Sequence, residues 1–213
     1  MWKVMTKIKF CGLTGEDDII AANEIMPEYA GFVFAPKSRR CVGRKQAGRL
    51  RAMLNGGIRA VGVFVDEDIN TVADLLNCGI IDIAQLHGNE DDEYIVRLKE
   101  MTGKPVIKAF RIRRPDDVQP VCSSAADMVL LDAGAGDGQV FDWSLVKTVD
   151  RLYFLAGGLS ADNAAAAVET LHPFALDVSS GIETDGHKDR LKMAAFARAV
   201  RSCSAAIRKE EEI

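Results

Sequence analysis

The sequence has no apolar run approaching the roughly 18–20 residues that a membrane-spanning helix needs, so no transmembrane segment and no membrane partner are expected. It has no positive excess either. Lys and Arg number 27 against 31 Asp and Glu, a net charge of −4, and without a basic footprint nucleic-acid binding is not expected. Cysteine is sparse. The five residues Cys11, Cys41, Cys78, Cys122 and Cys203 are odd in number, scattered, and never at Cys-x-x-Cys spacing. That predicts a reducing, cytoplasmic setting with neither a disulfide framework nor structural zinc. The three histidines, His87, His172 and His187, are too dispersed for a metal motif. Met1 to Lys7 lacks the apolar stretch and small-residue cleavage site of a signal peptide. No Pro- or Ser-rich linker interrupts the chain, so its 213 residues read as one domain with a sizeable core.

What the sequence does have is a repeated unit. Apolar runs occur at Lys7–Phe10, Gly31–Phe34, Ala60–Val65, Ile81–Leu86, Pro105–Phe110, Met128–Asp132, Leu152–Ala156 and Phe174–Val178. They are continuous rather than alternating, as suits strands covered on both faces of a parallel sheet. The stretches between them look helical. Thr14-Gly15-Glu16-Asp17 resembles a capping signal ahead of Ile19, Ile20 and Ile25. Ser160 can cap a helix from Ala161 towards Leu171. Met193, Phe196, Val200, Cys203 and Ile207 form a helical stripe, and Arg208 to Ile213 are expected to fray. Each repeat takes about 27 residues, the size of a βα unit, which predicts a small α/β protein of the (β/α)8 TIM-barrel class, single domain over 1–213. An open doubly wound sheet is the rival, but no Gly-x-Gly-x-x-Gly follows the first strand, and Gly134, Gly136 and Gly138 fail that spacing. Gly181 and Gly186 are spaced like a phosphate loop, yet His187-Lys188 follows where Lys-Ser/Thr is required.

In such a barrel the chemistry sits at the C-terminal ends of the strands. Cys11 closes the first strand and Gly12 turns the chain after it. Positive backbone dipoles there would lower the thiol's pKa and make it a base or nucleophile; otherwise Cys11 packs as a small hydrophobe. Asp132 follows Leu130-Leu131 and is either at the mouth or capping the next element. Burial would keep it protonated, as a general acid requires. Gly157-Gly158 and Ser180-Gly181 follow the seventh and eighth strands, where barrels bind phosphate through backbone amides. His87 follows strand four. Lys37-Ser38-Arg39-Arg40 follows strand two, where an arginine offers a fork to a carboxylate.

These residues, in this order, resemble the phosphoribosylanthranilate isomerase family of tryptophan biosynthesis. The likeness runs from Lys9 to about Asp189. It is carried by Lys9-Phe10-Cys11-Gly12, Gly31-Phe32-Val33-Phe34 with Ser38-Arg39-Arg40, Val61-Gly62-Val63-Phe64, Gln85-Leu86-His87-Gly88-Asn89-Glu90, and Leu131-Asp132 with Gly138 and Phe141-Asp142-Trp143. Leu155-Ala156-Gly157-Gly158-Leu159, Asp177-Val178-Ser179-Ser180-Gly181-Ile182-Glu183 and Lys188-Asp189 complete it. The resemblance implies an Amadori rearrangement with no metal or organic cofactor, Cys11 as base and Asp132 as acid. It further implies Arg40 on the anthranilate carboxylate, His87 and Asp177 lining the pocket, and Gly157, Gly158, Ser180 and Gly181 on the phosphate of a small phosphorylated substrate. Arg39 stands where the family often has proline, so Arg39 stays open as the carboxylate's partner. Phe10 replaces the usual isoleucine, and Ala135 and Asp137 replace the usual residues of the loop from Ala133 to Val140. Members occur as monomers and homodimers. Two other readings are weighed against it. One is the phosphate-binding sugar isomerase of histidine biosynthesis, which typically carries aspartate where Cys11 stands. The other is a barrel that binds a phosphorylated ligand without turning it over, which the presence of both Cys11 and Asp132 disfavours.

Overall fold

The computed structural model describes residues 5–132, 143–147 and 149–211, with side chains described as far as Ala205. Eight parallel strands close into a barrel in sequence order. They are β1 (Lys7–Cys11), β2 (Tyr29–Val33), β3 (Arg59–Phe64), β4 (Ile83–Leu86), β5 (Val106–Arg111), β6 (Met128–Asp132), β7 (Tyr153–Ala156) and β8 (Ala175–Val178). Each coincides with one of the apolar runs, and no end moves by more than two residues. Closure comes from β1 against β8, with Lys9 beside Asp177 and Phe10 beside Val178.

The strands are apolar throughout because both faces are covered. Outward residues such as Ile8, Phe10, Phe32, Phe64, Leu131 and Leu176 pack beneath the helices. Inward residues Tyr29, Val61, Ile83, Ile107, Leu130 and Phe154 fill the barrel. Its floor is aromatic: Tyr29 and Phe154 meet edge to face at 5.2 Å, Phe154 and Phe174 at 5.5 Å, and the Lys7 ammonium lies 4.4 Å from the Phe174 ring. Towards the C-terminal ends the inward positions turn polar, at Lys9, Cys11, Gln85, Asp132 and Asp177. The fold places its site there.

The helices are α1 (Glu16–Ile25), α2 (Arg44–Met53), α3 (Ile69–Asn77), α4 (Asp92–Thr102), the short α5 (Gln119–Ser123), α6 (Ala161–Leu171) and α7 (Arg190–Glu211). Ser160 caps α6 as expected, its Oγ accepting from the Asp162 N–H while Asn163 accepts from the Ser160 N–H. The start of α1 differs from its expected cap. Asp18 reaches back to accept from the N–H groups of Thr14 and Gly15, at 2.7 and 3.0 Å. Ile19 is buried there and Ile20 exposed. Met193, Phe196, Val200 and Cys203 do form the buried stripe of α7, which continues to Glu211.

Among the described residues β6 and β7 are joined by a single 3-10 turn, Trp143–Val146, and no α-helix. Ala133 to Val140, with Gly134, Ala135, Gly136, Asp137 and Gly138, lies outside the described residues, as do Phe141 and Asp142. After β8 come a 3-10 turn, Ser180–Ile182, and a small hairpin of β9 (Glu183–Thr184) and β10 (His187–Lys188). Asp185 and Gly186 form its turn with φ of 51° and 85°. Gly186 therefore serves a hairpin and not a phosphate loop. No helix among the described residues is long and apolar enough to cross a membrane.

Candidate active site

A cavity of about 300 Å³ opens at the C-terminal mouth of the barrel. Its lining includes Cys11, Arg40, Gln85, His87, Asp132, Gly157, Gly158, Asp177 and Ser180. Eight of the nine candidates named from the sequence thus share one cavity. The ninth, Gly181, stands behind it. A Cβ at Gly181 would overlap the carbonyl oxygen of Leu159, so this glycine lets the loop after β8 lie against the loop after β7.

Cys11 ends β1 on the inward face. Gly31 of β2 faces it, and a Cβ there would stand 3.1 Å from the Cys11 Sγ and 3.3 Å from the Lys9 Nζ. Glycine at this position admits sulfur and ammonium together. Lys9 is fully buried and bonds both carboxylate oxygens of Asp177 at 3.0 Å. Burial pulls the Lys9 ammonium down, but Asp177 and Cys11 outweigh it and hold it above its ordinary value. The expected lowering of the Cys11 pKa is not what the structure gives. Burial pushes the thiol up, and the Lys9 ammonium only partly opposes that. Desolvation is stronger here than the backbone dipoles at a strand end.

On the opposite side Asp132 ends β6, with its side chain 24% exposed. His87 Nε2 lies 3.4 Å from its Oδ2. His87 Nδ1 in turn lies 3.1 Å from Gln85 Nε2. Gly157 and Gly158 follow β7 with φ of 95° and 61°, a left-handed pair that only glycine adopts easily and whose N–H groups suit an anion. Ser180 opens the 3-10 turn after β8.

Arg40 crosses the mouth over Gly12, where a Cβ would overlap its Cδ. Its guanidinium grips Glu183 through Nε at 2.6 Å and Nη2 at 2.8 Å. Arg39 also reaches Glu183, at 2.6 Å, but its side chain is 60% exposed and outside the cavity. Lys188 completes the cluster, 2.7 Å from Glu183 Oε1 and 3.0 Å from the Ser179 carbonyl. The Ser179 Oγ donates to the Cys11 carbonyl at 3.0 Å. Burial opposes ionisation of Glu183, yet bonds from Arg40 and Lys188 hold its carboxyl down at about 2.

A profile of the N-(5'phosphoribosyl)anthranilate (PRA) isomerase family matches residues 8–199. The chain belongs to this family. An N-(5'-phosphoribosyl)anthranilate isomerase of Endomicrobium trichonymphae is 43% identical over 203 residues, covering 93% of this chain and 100% of the relative. The phosphoribosyl anthranilate isomerase of Thermotoga maritima superposes with a TM-score of 0.85 at 32% identity, over 93% of this chain and 100% of that one. A phosphoribosyl anthranilate isomerase in complex with reduced 1-(o-carboxyphenylamino)-1-deoxyribulose 5-phosphate superposes with a TM-score of 0.83 at 32% identity, over 93% and 100%.

Four polar residues of this isomerase fold were not singled out as site residues from the sequence: Lys9, Gln85, Glu183 and Lys188. All four are buried or nearly so. The signal for Lys9 was present, since a lysine between Ile8 and Phe10 inside a buried strand needs a partner of opposite charge. Gln85 likewise interrupts an apolar strand.

Proposed function

We propose that the chain catalyses the Amadori rearrangement of N-(5'-phosphoribosyl)anthranilate to 1-(2-carboxyphenylamino)-1-deoxyribulose 5-phosphate, in tryptophan biosynthesis. The observation that carries this is that Cys11 and Asp132 line one cavity with a glycine-built anion cradle and an arginine. The reduced product analogue bound by a solved relative carries a carboxylate and a phosphate, and this cavity offers a partner for each.

Asp132 protonates the furanose ring oxygen, the C1'–O4' bond breaks, and a Schiff base forms between C1' and the anilino nitrogen. Cys11 as thiolate then takes the C2' proton. The resulting enolamine tautomerises to the ketone at C2'. Lys9 places a positive charge beside the thiol and offsets part of the cost that burial sets on its ionisation. Gly157, Gly158 and Ser180 hold the phosphate, and Gly181 keeps their two loops together. Arg40 holds the anthranilate carboxylate with the donors that Glu183 does not use, since a guanidinium has five N–H groups and Glu183 engages Nε and one of Nη2. Fixing both ends of the substrate sets the reacting carbons between acid and base.

The test is turnover of freshly prepared phosphoribosylanthranilate by the purified chain. Cys11→Ala and Asp132→Asn should each lower kcat by about 10²–10⁴-fold while a calorimetric titration with the reduced product analogue stays close to wild type. Binding without turnover by the wild-type chain would reduce it to a ligand-binding barrel. Full turnover by both variants would overturn the acid–base assignment.

A further inference from the structure

Glu183 does not line the cavity, but charged donors converge on both oxygens of its carboxylate. Oε1 accepts from Arg40 Nε at 2.6 Å and from Lys188 Nζ at 2.7 Å. Oε2 accepts from Arg40 Nη2 at 2.8 Å and from Arg39 Nη2 at 2.6 Å. A carboxylate has about four lone-pair sites, so these bonds fill it. Its backbone is held as well. The hairpin pairs Glu183 with Lys188, and Lys192 Nζ of α7 donates to the Glu183 carbonyl at 2.7 Å. With its side chain 4% exposed, Glu183 is a fixed group and not a surface charge.

We propose that Glu183 is a positioning residue for substrate recognition: it takes the side fork of Arg40, Nε with Nη2, and thereby turns the end fork, Nη1 with Nη2, to the aryl carboxylate of the substrate. This rests on the reading of Arg40 as the partner of that carboxylate. Arg40 is pinned along its length. Its backbone N–H donates to Ser38 Oγ at 3.1 Å, its Cδ lies over Gly12, and its head is gripped side-on. Glu183 grips it from outside the cavity that Arg40 lines, so the edge left over is the one offered to a ligand.

Bidentate recognition of a carboxylate needs the guanidinium in one plane. An arginine that is not held loses rotamer freedom when it binds, and one already held does not. The charge balance leaves room for a second anion. Arg39, Arg40 and Lys188 bring three positive charges against one carboxylate. If Glu183 instead competed with the substrate for Arg40, removing its charge would tighten binding. The two roles therefore have opposite signs.

The probes are the reduced product analogue and its counterpart made with aniline, which lacks the carboxylate. Calorimetry on Glu183→Gln should show the carboxylate analogue weakened by about 2–12-fold, the cost of ordering one long side chain, and the aniline analogue unchanged. KM for phosphoribosylanthranilate should rise by the same factor, with kcat changed less. The double variant Arg40→Ala/Glu183→Gln should bind no more weakly than Arg40→Ala, because Glu183 acts through Arg40. Unchanged or tighter binding by Glu183→Gln, an equal loss for both analogues, or a further loss in the double variant overturns the inference and leaves Arg40 as the carboxylate's partner. An Arg40→Ala variant that does not separate the two analogues overturns the reading on which the inference rests. A wild-type measurement covers a Glu183→Gln that fails to fold. Nitrogen-15 NMR should show the Arg40 Nε–H, identified by its loss in Arg40→Lys, protected from solvent exchange both in the free chain and with the analogue bound. Protection that arises only with the analogue overturns the inference.

Discussion

Lys9 Nζ stands 3.0 Å from each carboxylate oxygen of Asp177, two residues below Cys11 on the same strand and the same face. The Lys9 ammonium stands beside a thiol that burial pushes up, and it opposes that push in part while Asp177 adds to it. Lys9→Met should therefore raise the pH at which iodoacetamide alkylates Cys11 half-maximally, and lower kcat. Asp177→Asn leaves the ammonium buried without its counter-charge and should destabilise the fold by about 3–5 kcal/mol. The double variant Lys9→Met/Asp177→Leu should recover stability in urea without recovering turnover. An alkylation profile unmoved by Lys9→Met would remove Lys9 from the mechanism.

Arg39 and Arg40 are adjacent in sequence but not equivalent in space. Only Arg40 lines the cavity, at 21% side-chain exposure against 60% for Arg39. Arg40→Ala should raise KM by about 10–150-fold, the worth of a hydrogen bond to a charged group, and lower kcat much less. Arg39→Ala loses an exposed ion pair worth about 0–1 kcal/mol and should change KM by no more than a few fold. Steady-state kinetics on the two variants decides, and the reverse ranking would move the carboxylate to Arg39.

The barrel was legible because strands buried on both faces must be apolar along their whole length, and eight such runs stand out. Cys11, Asp132 and the glycine pair were legible because each ends one of those runs. The supporting charges were not. Lys9 and Asp177 lie 168 positions apart, and Arg40 and Glu183 lie 143 apart. They meet only because β8 closes onto β1, and a one-dimensional reading gives no register across that closure. The pKa of Cys11 was misjudged for the same reason. A strand end suggests dipoles, whereas what pushes the thiol up, burial and the Asp177 carboxylate of β8, belongs to the assembled barrel.

Gly181 offers a test of how the two anion-binding loops depend on each other. A methyl group there meets the backbone of Leu159 and Ser160, which cannot rotate away as a side chain can. Gly181→Ala should cost about 1–3 kcal/mol by overpacking. It should also weaken inhibition by inorganic phosphate, because Gly157, Gly158 and Ser180 no longer converge. Unchanged phosphate inhibition in a folded Gly181→Ala protein would separate the two loops functionally.

Glu183 gives the acid limb of stability a specific cause. Its carboxyl is held down from 4.5 to about 2 in the folded chain, through bonds from Arg40 and Lys188. A depressed pKa means the unfolded chain binds the proton first. The stabilisation is therefore complete above about pH 5 and is lost as pH falls from 4.5 towards 2. Glu183→Gln never has that contribution. The gap between wild-type and Glu183→Gln urea midpoints should be constant from about pH 7 down to 5 and then close progressively. Carboxylates common to both proteins, such as Asp117 and Asp189, cancel in the difference. A gap that stays constant down to about pH 2.5 would mean that Arg40 and Lys188 do not hold Glu183 ionised.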